Sequence, residues 1–473
     1  MSVAGHDGRV HPTQDDPVVA ALSEVVGGPV GTRAGRHRWW TPVRVVLVLA
    51  AVCLALGMVQ KSSCYAESWQ DGQARYAHMC YSDLPYLYTG RGFAELNWPY
   101  TSDPQVRARY ETMEYPVGIS YWAWGTAWVT HWLSGSPDIE PRYGQSVQRL
   151  AAEPSIIAES RLFVVVNAVG LAAAGLLAAW FLAGVNPRRP WDAAVYAVSP
   201  ALALTALVNW DLLAVALTAG ALWAWARGRP VLTGVLIGLG TATKLYPLFL
   251  LGAFLVVCLR RRRLPAFARA TGAAALSWLV VDAPAMLLGF DQWKVFWSFN
   301  DRRGADLGSL WLIWSQMGHQ LSPGLINAVS GAVFALMCVG VLVLGLCARR
   351  TPRIPQLAFL VVLGFLLVNK VYSPQYVLWL LPLAVLARPR WRDIVVWTAA
   401  EVFYFGAVWL YLGGWTASSV SGAPDRFYWL AIIVRVLGEL YLAVLVVRDV
   451  LQPWRDPVRA DGLTDDPAEP LPV

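Results

Sequence analysis

Two acids stand in a long polar stretch that follows the first apolar run. One is in Cys80-Tyr81-Ser82-Asp83-Leu84-Pro85 and the other in Glu114-Tyr115-Pro116. A carboxylate held at a membrane surface can take the proton of an attacking hydroxyl, which is a poor nucleophile until it is deprotonated. Asp83 is the first candidate for such a base and Glu114 the second. Asp83 also has a plainer reading, because Ser and Asp commonly cap helices and Leu84-Pro85 could open one. Asn caps about as well as Asp but cannot accept the proton, so the two readings separate at Asp83→Asn.

Positive charge of the complementary kind occurs twice inside apolar runs. Lys244-Leu245-Tyr246-Pro247 and Lys370-Val371-Tyr372-Ser373-Pro374 each place a lysine beside a helix-breaking proline. A lysine at such an apex suits a lipid phosphate, as a point charge with three donors. The alternative is snorkelling to the membrane interface. Asp211, Asp282, Glu401, Arg435 and Glu439 are further charges within apolar runs; such residues are costly in lipid and usually face a bundle interior. Arg435 and Glu439 are four apart, which reads as a structural ion pair. Asp211 could merely end one helix and cap the next. His78, His131 and His319 lack metal-ligand spacing. The chain has 25 Trp and 18 Tyr, most of them expected as interface belts.

These residues need elements to position them, and composition says which kind. Hydrophobic residues make up 56% of the chain and charged residues 15%, with a mean hydropathy of +0.45. A soluble domain carries about a quarter of its residues as charges. Many apolar runs reach the roughly 20 residues a bilayer core requires. They are continuous rather than alternating, which selects helices over a barrel. The fold class expected is all-α: a polytopic transmembrane helical bundle of about 12 short spans, two of them broken hairpins, with a large first extracytoplasmic loop.

The net charge of +7 does not indicate nucleic acid, because the basic residues sit in short links between spans, the positive-inside pattern. Taking those links as cytoplasmic puts spans near 43–60, 161–184, 191–209, 210–227, 231–259, 268–288, 324–347, 355–387, 393–412 and 427–447. Parity requires 231–259 and 355–387 to be hairpins with Lys244 and Lys370 at outer apices. Residues 115–133 are then a helix at the outer interface, where Tyr121, Trp122, Trp124, Trp128 and Trp132 suit that depth. Residues 61–160 and 289–323 form the outer loops. Residues 1–42 and 448–473 read as cytoplasmic tails, the first disordered. The first span reads as a retained anchor. Cys53, Cys258, Cys338 and Cys347 lie in or near spans. Cys64 and Cys80 share one outer loop of an oxidising compartment and are expected to form a disulfide.

The outer-loop string from Tyr81-Ser82-Asp83 through Gly90-Arg91 and Pro99-Tyr100 to Glu114-Tyr115-Pro116 resembles the first luminal loop of the C-class membrane glycosyltransferases. Asn209-Trp210-Asp211, then Gly238-Leu239-Gly240-Thr241-Ala242-Thr243-Lys244-Leu245-Tyr246-Pro247, and later Ser373-Pro374-Gln375-Tyr376 with Trp379 and Pro382, follow in the same order. The chain is most similar to the GPI mannosyltransferase group and the actinobacterial polyprenyl-phosphomannose-dependent mannosyltransferases, glycosyltransferase family 87, over about residues 43–447.

That resemblance implies a polyprenyl-phosphate sugar donor, a glycolipid or polysaccharide acceptor, and an inverting, metal-independent transfer on the outer face of the plasma membrane. Asp83 falls at the family's catalytic acid. Lys244, Tyr246, Gln375 and Tyr376 fall where donor phosphate and sugar contacts are expected, and Lys370 joins them as the second apex lysine. No cofactor is implied. Asp83 stands alone where a paired acid would mark a metal-dependent version, and nothing marks the acceptor side. Mannose is the sugar the resemblance favours, with arabinose open. The competing reading is a transporter or flippase of a lipid-linked glycan, since broken helices and intramembrane charges serve transporters too. The chain shows no pseudo-symmetric halves, and a simple transporter has no need of a long acid-bearing first loop.

Overall fold

The computed structural model describes residues 39–416 and 424–460. The expected N-terminal tail, up to residue 38, and residues 461–473 lie outside them. Among the described residues there are helices and no strands. The principal helices are α1 (Pro42–Gln60), α2 (Leu84–Gly90), α3 (Val117–Leu133), α4 (Pro154–Val185), α5 (Asp211–Trp225), α6 (Pro230–Thr243), α7 (Leu250–Arg260), α8 (Leu264–Leu288), α9 (Pro323–Cys347), α10 (Ile354–Val368), α11 (Val377–Ala387), α12 (Trp391–Leu412) and α13 (Arg426–Leu451). Six of them, α1, α4, α8, α9, α12 and α13, are long and apolar enough to cross a membrane. Shorter apolar helices fill in between, as a polytopic helical bundle with broken spans requires.

The expected span 191–209 is not one helix. It divides into Asp192–Ala197 and Pro200–Thr205, because Pro200 cannot donate to the preceding turn. Both expected hairpins are present. α6 leads to an extended Lys244 and a 3-10 turn at Tyr246–Phe249 before α7 returns. α10 turns through Pro374–Tyr376 into α11.

α6 packs closely along α8 because Gly234 and Gly238 lack side chains. A Cβ at Gly234 would stand 2.0 Å from the Ala270 carbonyl oxygen, and one at Gly238 would stand 2.2 Å from that of Ala274. This is small-residue packing at four-residue spacing, which lets two backbones approach.

The bundle has two chemically different poles. At one, the basic links are spent on buried acids and helix-end carbonyls. Arg353 donates to Asp456 at 2.8 Å and to the Leu386 and Ala387 carbonyls at 2.6 Å each. Arg388 pairs with Asp393 at 2.7 Å and also with Asp449, Arg189 pairs with Asp192 at 2.9 Å, and Arg260 binds the Gly345 carbonyl at 2.8 Å. The C-terminal boundary expected at 447 therefore falls inside packed structure: α13 runs on to Leu451, and Asp456 is fully buried.

The loop expected over 61–160 forms a packed cap at the other pole. The Cys64–Cys80 disulfide ties its start. Arg142–Glu159 at 2.5 Å and Arg109–Glu95 at 2.6 Å hold its middle. α3 begins at this pole, with Gly118 against Ala242 and Thr243. It runs antiparallel to the first half of α4: Trp122 meets Gly170 and Asn167, and Thr126 meets Asn167. α3 thus leads away from the basic pole and does not traverse the bundle.

Candidate active site

The cap, the two hairpin apices and the loop after α8 enclose a cavity of about 710 Å³, within the range of small-molecule sites. Asp83, Glu114, Asn209, Lys244, Lys370 and Gln375 all reach its wall. Residues far apart in sequence come together there because helix breaks at 209, 244 and 369–376 fall at the same level as the cap.

Asp83 occupies the position before α2, yet its side chain makes no capping bond. The Tyr81 hydroxyl donates to Oδ1 at 2.7 Å. Oδ2 accepts from the Tyr115 hydroxyl at 2.9 Å and from the Asn209 amide at 2.9 Å. The backbone N–H of Asp83 is anchored on the Val208 carbonyl at 2.9 Å. Each carboxylate oxygen has two lone pairs, so Oδ2 is filled and Oδ1 retains one for a further donor. Burial pushes the Asp83 carboxyl above its ordinary range. The Tyr81 and Tyr115 hydroxyls, the Lys244 charge and the Asn209 amide act in the opposite direction. A carboxylate whose proton affinity is raised by burial is a better base than a solvated one.

Glu114, the second acid, is held by Arg91 at 2.7 Å.

The cations differ from one another. Lys244 Nζ lies 3.5 Å from Asp211 Oδ1, which also accepts from Trp379 Nε1 at 2.6 Å. Asp211 is therefore the counter-ion of Lys244 rather than only a helix end. Lys370 reaches the cavity, but its ammonium is directed at the Asn300 carbonyl, the Asn327 side-chain oxygen at 2.5 Å and the Asp301 carbonyl at 3.5 Å. All three N–H donors of an ammonium meet protein oxygens, so Lys370 secures the C-terminal end of the helix Val295–Arg302. Lys370, expected from the sequence as a donor contact, thus lines the cavity with its ammonium engaged by these oxygens.

Tyr246 also stands elsewhere than expected. It is fully buried, accepts from Thr218 at 3.1 Å, and stacks on Trp379 with centroids 4.8 Å apart. It backs the wall instead of forming it. Tyr376 does form the wall, stacked on Trp379 at 4.0 Å. Gln375 is 5% exposed, and its side-chain carbonyl oxygen is buried without a partner.

Sequence reasoning missed several site residues. Arg303, ion-paired to Asp306 at 2.6 Å with its side chain 27% exposed, is the most accessible cation on the wall. It follows Arg302 in an outer loop, and no spacing distinguished the two. Tyr81, Tyr115 and Asn209 lay within quoted strings, but their convergence on Asp83 is a tertiary fact. Lys61, just past α1 and 1% exposed, donates to the Tyr81 carbonyl at 2.9 Å and supports that segment of the cap.

The expected ion pair between Arg435 and Glu439 is formed, at 3.0 Å. Arg435 also donates to the Gly308 carbonyl at 2.9 Å and lies 3.6 Å from the Tyr372 ring centroid. Gly308 has φ +71°, and a Cβ there would stand 2.1 Å from the Tyr404 hydroxyl. Only glycine lets the loop dock this closely.

No curated protein matches the chain. A family model does, over a stretch that includes Asn209, Lys244 and Arg303 but begins well after Asp83. Residues 149–369 match Glycosyltransferase family 87, which makes that part of the chain similar to membrane glycosyltransferases.

Proposed function

We propose that the cavity transfers a sugar from a polyprenyl-phosphate donor to a hydroxyl of a glycolipid or polysaccharide acceptor, with inversion and with Asp83 as general base. The observation that carries this reading is Asp83 itself. Its Oδ2 is filled by Tyr115 and Asn209 while Oδ1 keeps a lone pair, and it shares one cavity with Lys244 and Arg303. The acceptor hydroxyl donates to Oδ1 and gives up its proton there. Its oxygen attacks the anomeric carbon as the carbon–oxygen bond to the phosphate breaks. A single displacement of this kind inverts the anomeric centre. The electron pair leaves on the lipid phosphate, whose charge Lys244 and Arg303 compensate.

The rest of the cavity supports a lipid donor. Phe296, Phe299, Phe334 and Phe365 give it an apolar flank. That flank runs along α9, of which only Ile326, Val341 and Gly345 are buried. An isoprenoid chain entering from the bilayer would meet this side, and the free Gln375 carbonyl oxygen can accept from a sugar hydroxyl. Mannose is the sugar taken for the test, on the resemblance above.

The cap pole faces outward from the plasma membrane in this proposal, and the arginine pole faces the cytoplasm. Cysteines introduced at Arg261 and at Glu111 should label from opposite sides; outward labelling at position 261 refutes this orientation. The direct test of the activity is transfer by the purified full chain from synthetic polyprenyl-phosphate mannose and, in parallel, the arabinose analogue. Product formation from either supports the donor class. Uptake or translocation of a lipid-linked glycan without transfer overturns it.

A further inference from the structure

Beside the main cavity lies a second space of about 20 Å³, and the two share Tyr115, Pro116, Leu245, Phe296 and Trp297. Asp282, Tyr100 and Trp293 contribute to the rest of its lining. Asp282 is on α8, two residues before Pro284, and is 4% exposed. Trp293 Nε1 donates to its Oδ1 at 2.9 Å, whereas Oδ2 is buried with no partner. The hydroxyl of Tyr100, a residue 2% exposed, is also buried, with the Ser120 side chain as its hydrogen-bonding neighbour. Tyr121, whose ring centroid is 6.0 Å from that of Tyr100, has its hydroxyl against the Ala285 backbone.

Buried polar atoms in folded proteins are nearly all paired. An unpartnered carboxylate oxygen beside a phenol in one small space therefore calls for a guest that can both donate and accept. The volume suits one oxygen-sized group. The space adjoins the cavity at Tyr115, whose hydroxyl bonds Asp83, and Trp278, Trp293 and Trp297 are among its lining residues.

We propose that this space receives one hydroxyl of the transferred sugar, and that Asp282 and Tyr100 are specificity-determining residues for that hydroxyl. The hydroxyl donates to Asp282 Oδ2 and accepts from the Tyr100 O–H, while the sugar ring remains in the main cavity. A site built to bond a hydroxyl rejects an analogue lacking it, because its own buried groups are then left unpaired. Trp293 fixes the carboxylate, so the free oxygen is presented in one direction. This inference rests on reading the main cavity as the donor site.

The test is equilibrium binding of bare polyprenyl phosphate and of its mannose and arabinose forms to the purified full chain, with thermal unfolding recorded alongside. Wild type is expected to bind one sugar form roughly 10-fold or more tightly than the bare lipid, the scale of a lost hydrogen bond to a charged group. Asp282→Asn keeps an acceptor for Trp293 but presents an uncharged group to the hydroxyl, and Tyr100→Phe removes only the phenol oxygen. Each variant should bring the ratio several-fold closer to one and leave binding of the bare lipid unchanged. Variants that keep the ratio and only melt at a different temperature indicate a trapped structural water and overturn the inference alone. A wild type that binds all three lipids equally does the same. A wild type that binds none overturns the donor reading, and this inference with it.

Discussion

Lys244 Nζ lies 4.8 Å from the centroid of the Tyr115 ring, and the hydroxyl of the same ring donates to Asp83 Oδ2 at 2.9 Å. One side chain therefore touches both the cation proposed for the leaving phosphate and the carboxylate proposed as base. The Asn209 amide donates to the Tyr115 oxygen at 2.7 Å as well as to Asp83, so the ring is held from the third side. A cation over an aromatic face is attracted by the ring quadrupole. The arrangement fixes the separation of base and cation through a rigid spacer.

Tyr115→Phe keeps that spacer and removes only one donor to Asp83. Transfer should fall by roughly 10-fold or more, from losing a hydrogen bond to a charged group worth roughly 1.5–3 kcal/mol. The pH–rate profile gives the sharper reading. Asp83 works when deprotonated, so the rate should rise with pH through its folded-state pKa. Burial raises that pKa, so the wild-type acid limb should lie above the range of about 3.9 typical of a free aspartate. The Tyr115 hydroxyl opposes this rise, so its removal should carry the limb to still higher pH. A limb that stays in place would separate Tyr115 from the base.

The Lys244–Asp211 pair makes a different prediction for stability. Asp211 Oδ2 is buried without a partner, and the side chains are 9% and 1% exposed. Lys244→Met leaves the Asp211 charge uncompensated, which for a buried pair costs roughly 3–5 kcal/mol. The loss of transfer in that single variant thus mixes folding with chemistry. Lys244→Met combined with Asp211→Asn should recover most of the thermal midpoint while donor binding stays weak. Recovery of both would remove Lys244 from the phosphate site.

At the opposite pole, Arg353 donates to both carboxylate oxygens of Asp456 at 2.8 Å, and Gln356 donates to that carboxylate as well at 3.2 Å. Asp456→Ala should destabilise the purified protein by roughly 3–5 kcal/mol, since it removes the carboxylate of a buried ion pair. Thermal unfolding in detergent measures this. A midpoint equal to wild type would mean that the C-terminal segment is dispensable for the packing of α10 and α13.

The bundle was legible in the sequence because lipid imposes it: apolar length and arginine links locate helices with little help from tertiary context. Lys244-Leu245-Tyr246-Pro247 was legible as a helix break for the same reason, since proline removes a donor. What each lysine does at its apex was not legible. Lys244 and Lys370 look alike in sequence, yet one faces Asp211 and a ring while the other is spent on the end of the helix Val295–Arg302. That difference depends on partners 33 or more residues away in the chain. Tyr246 was misjudged because a tyrosine next to a site lysine can turn either to the cavity or to the core, and stacking on Trp379 turned it to the core. Arg303 gave no local signal at all. The burial of Asp456 escaped notice because a charged C-terminal stretch normally reads as solvated.

The central claim is that Asp83 accepts the acceptor's proton, and the measurement that tests it most directly is the transfer rate of purified Asp83→Asn with donor binding recorded in parallel. The side chain makes no capping bond, so the substitution is not cushioned by a role that Asn could share. Asn preserves the shape and can still meet Tyr81, Tyr115 and its neighbour Asn209, but it cannot take a proton. The account predicts a fall in transfer of roughly 10²–10⁴-fold, with donor affinity close to wild type because Lys244 and Arg303 are untouched. Transfer near the wild-type rate in a folded, donor-binding Asp83→Asn protein would contradict it, and would make Glu114 the next acid on the cavity wall to be released from Arg91 and tested in its place.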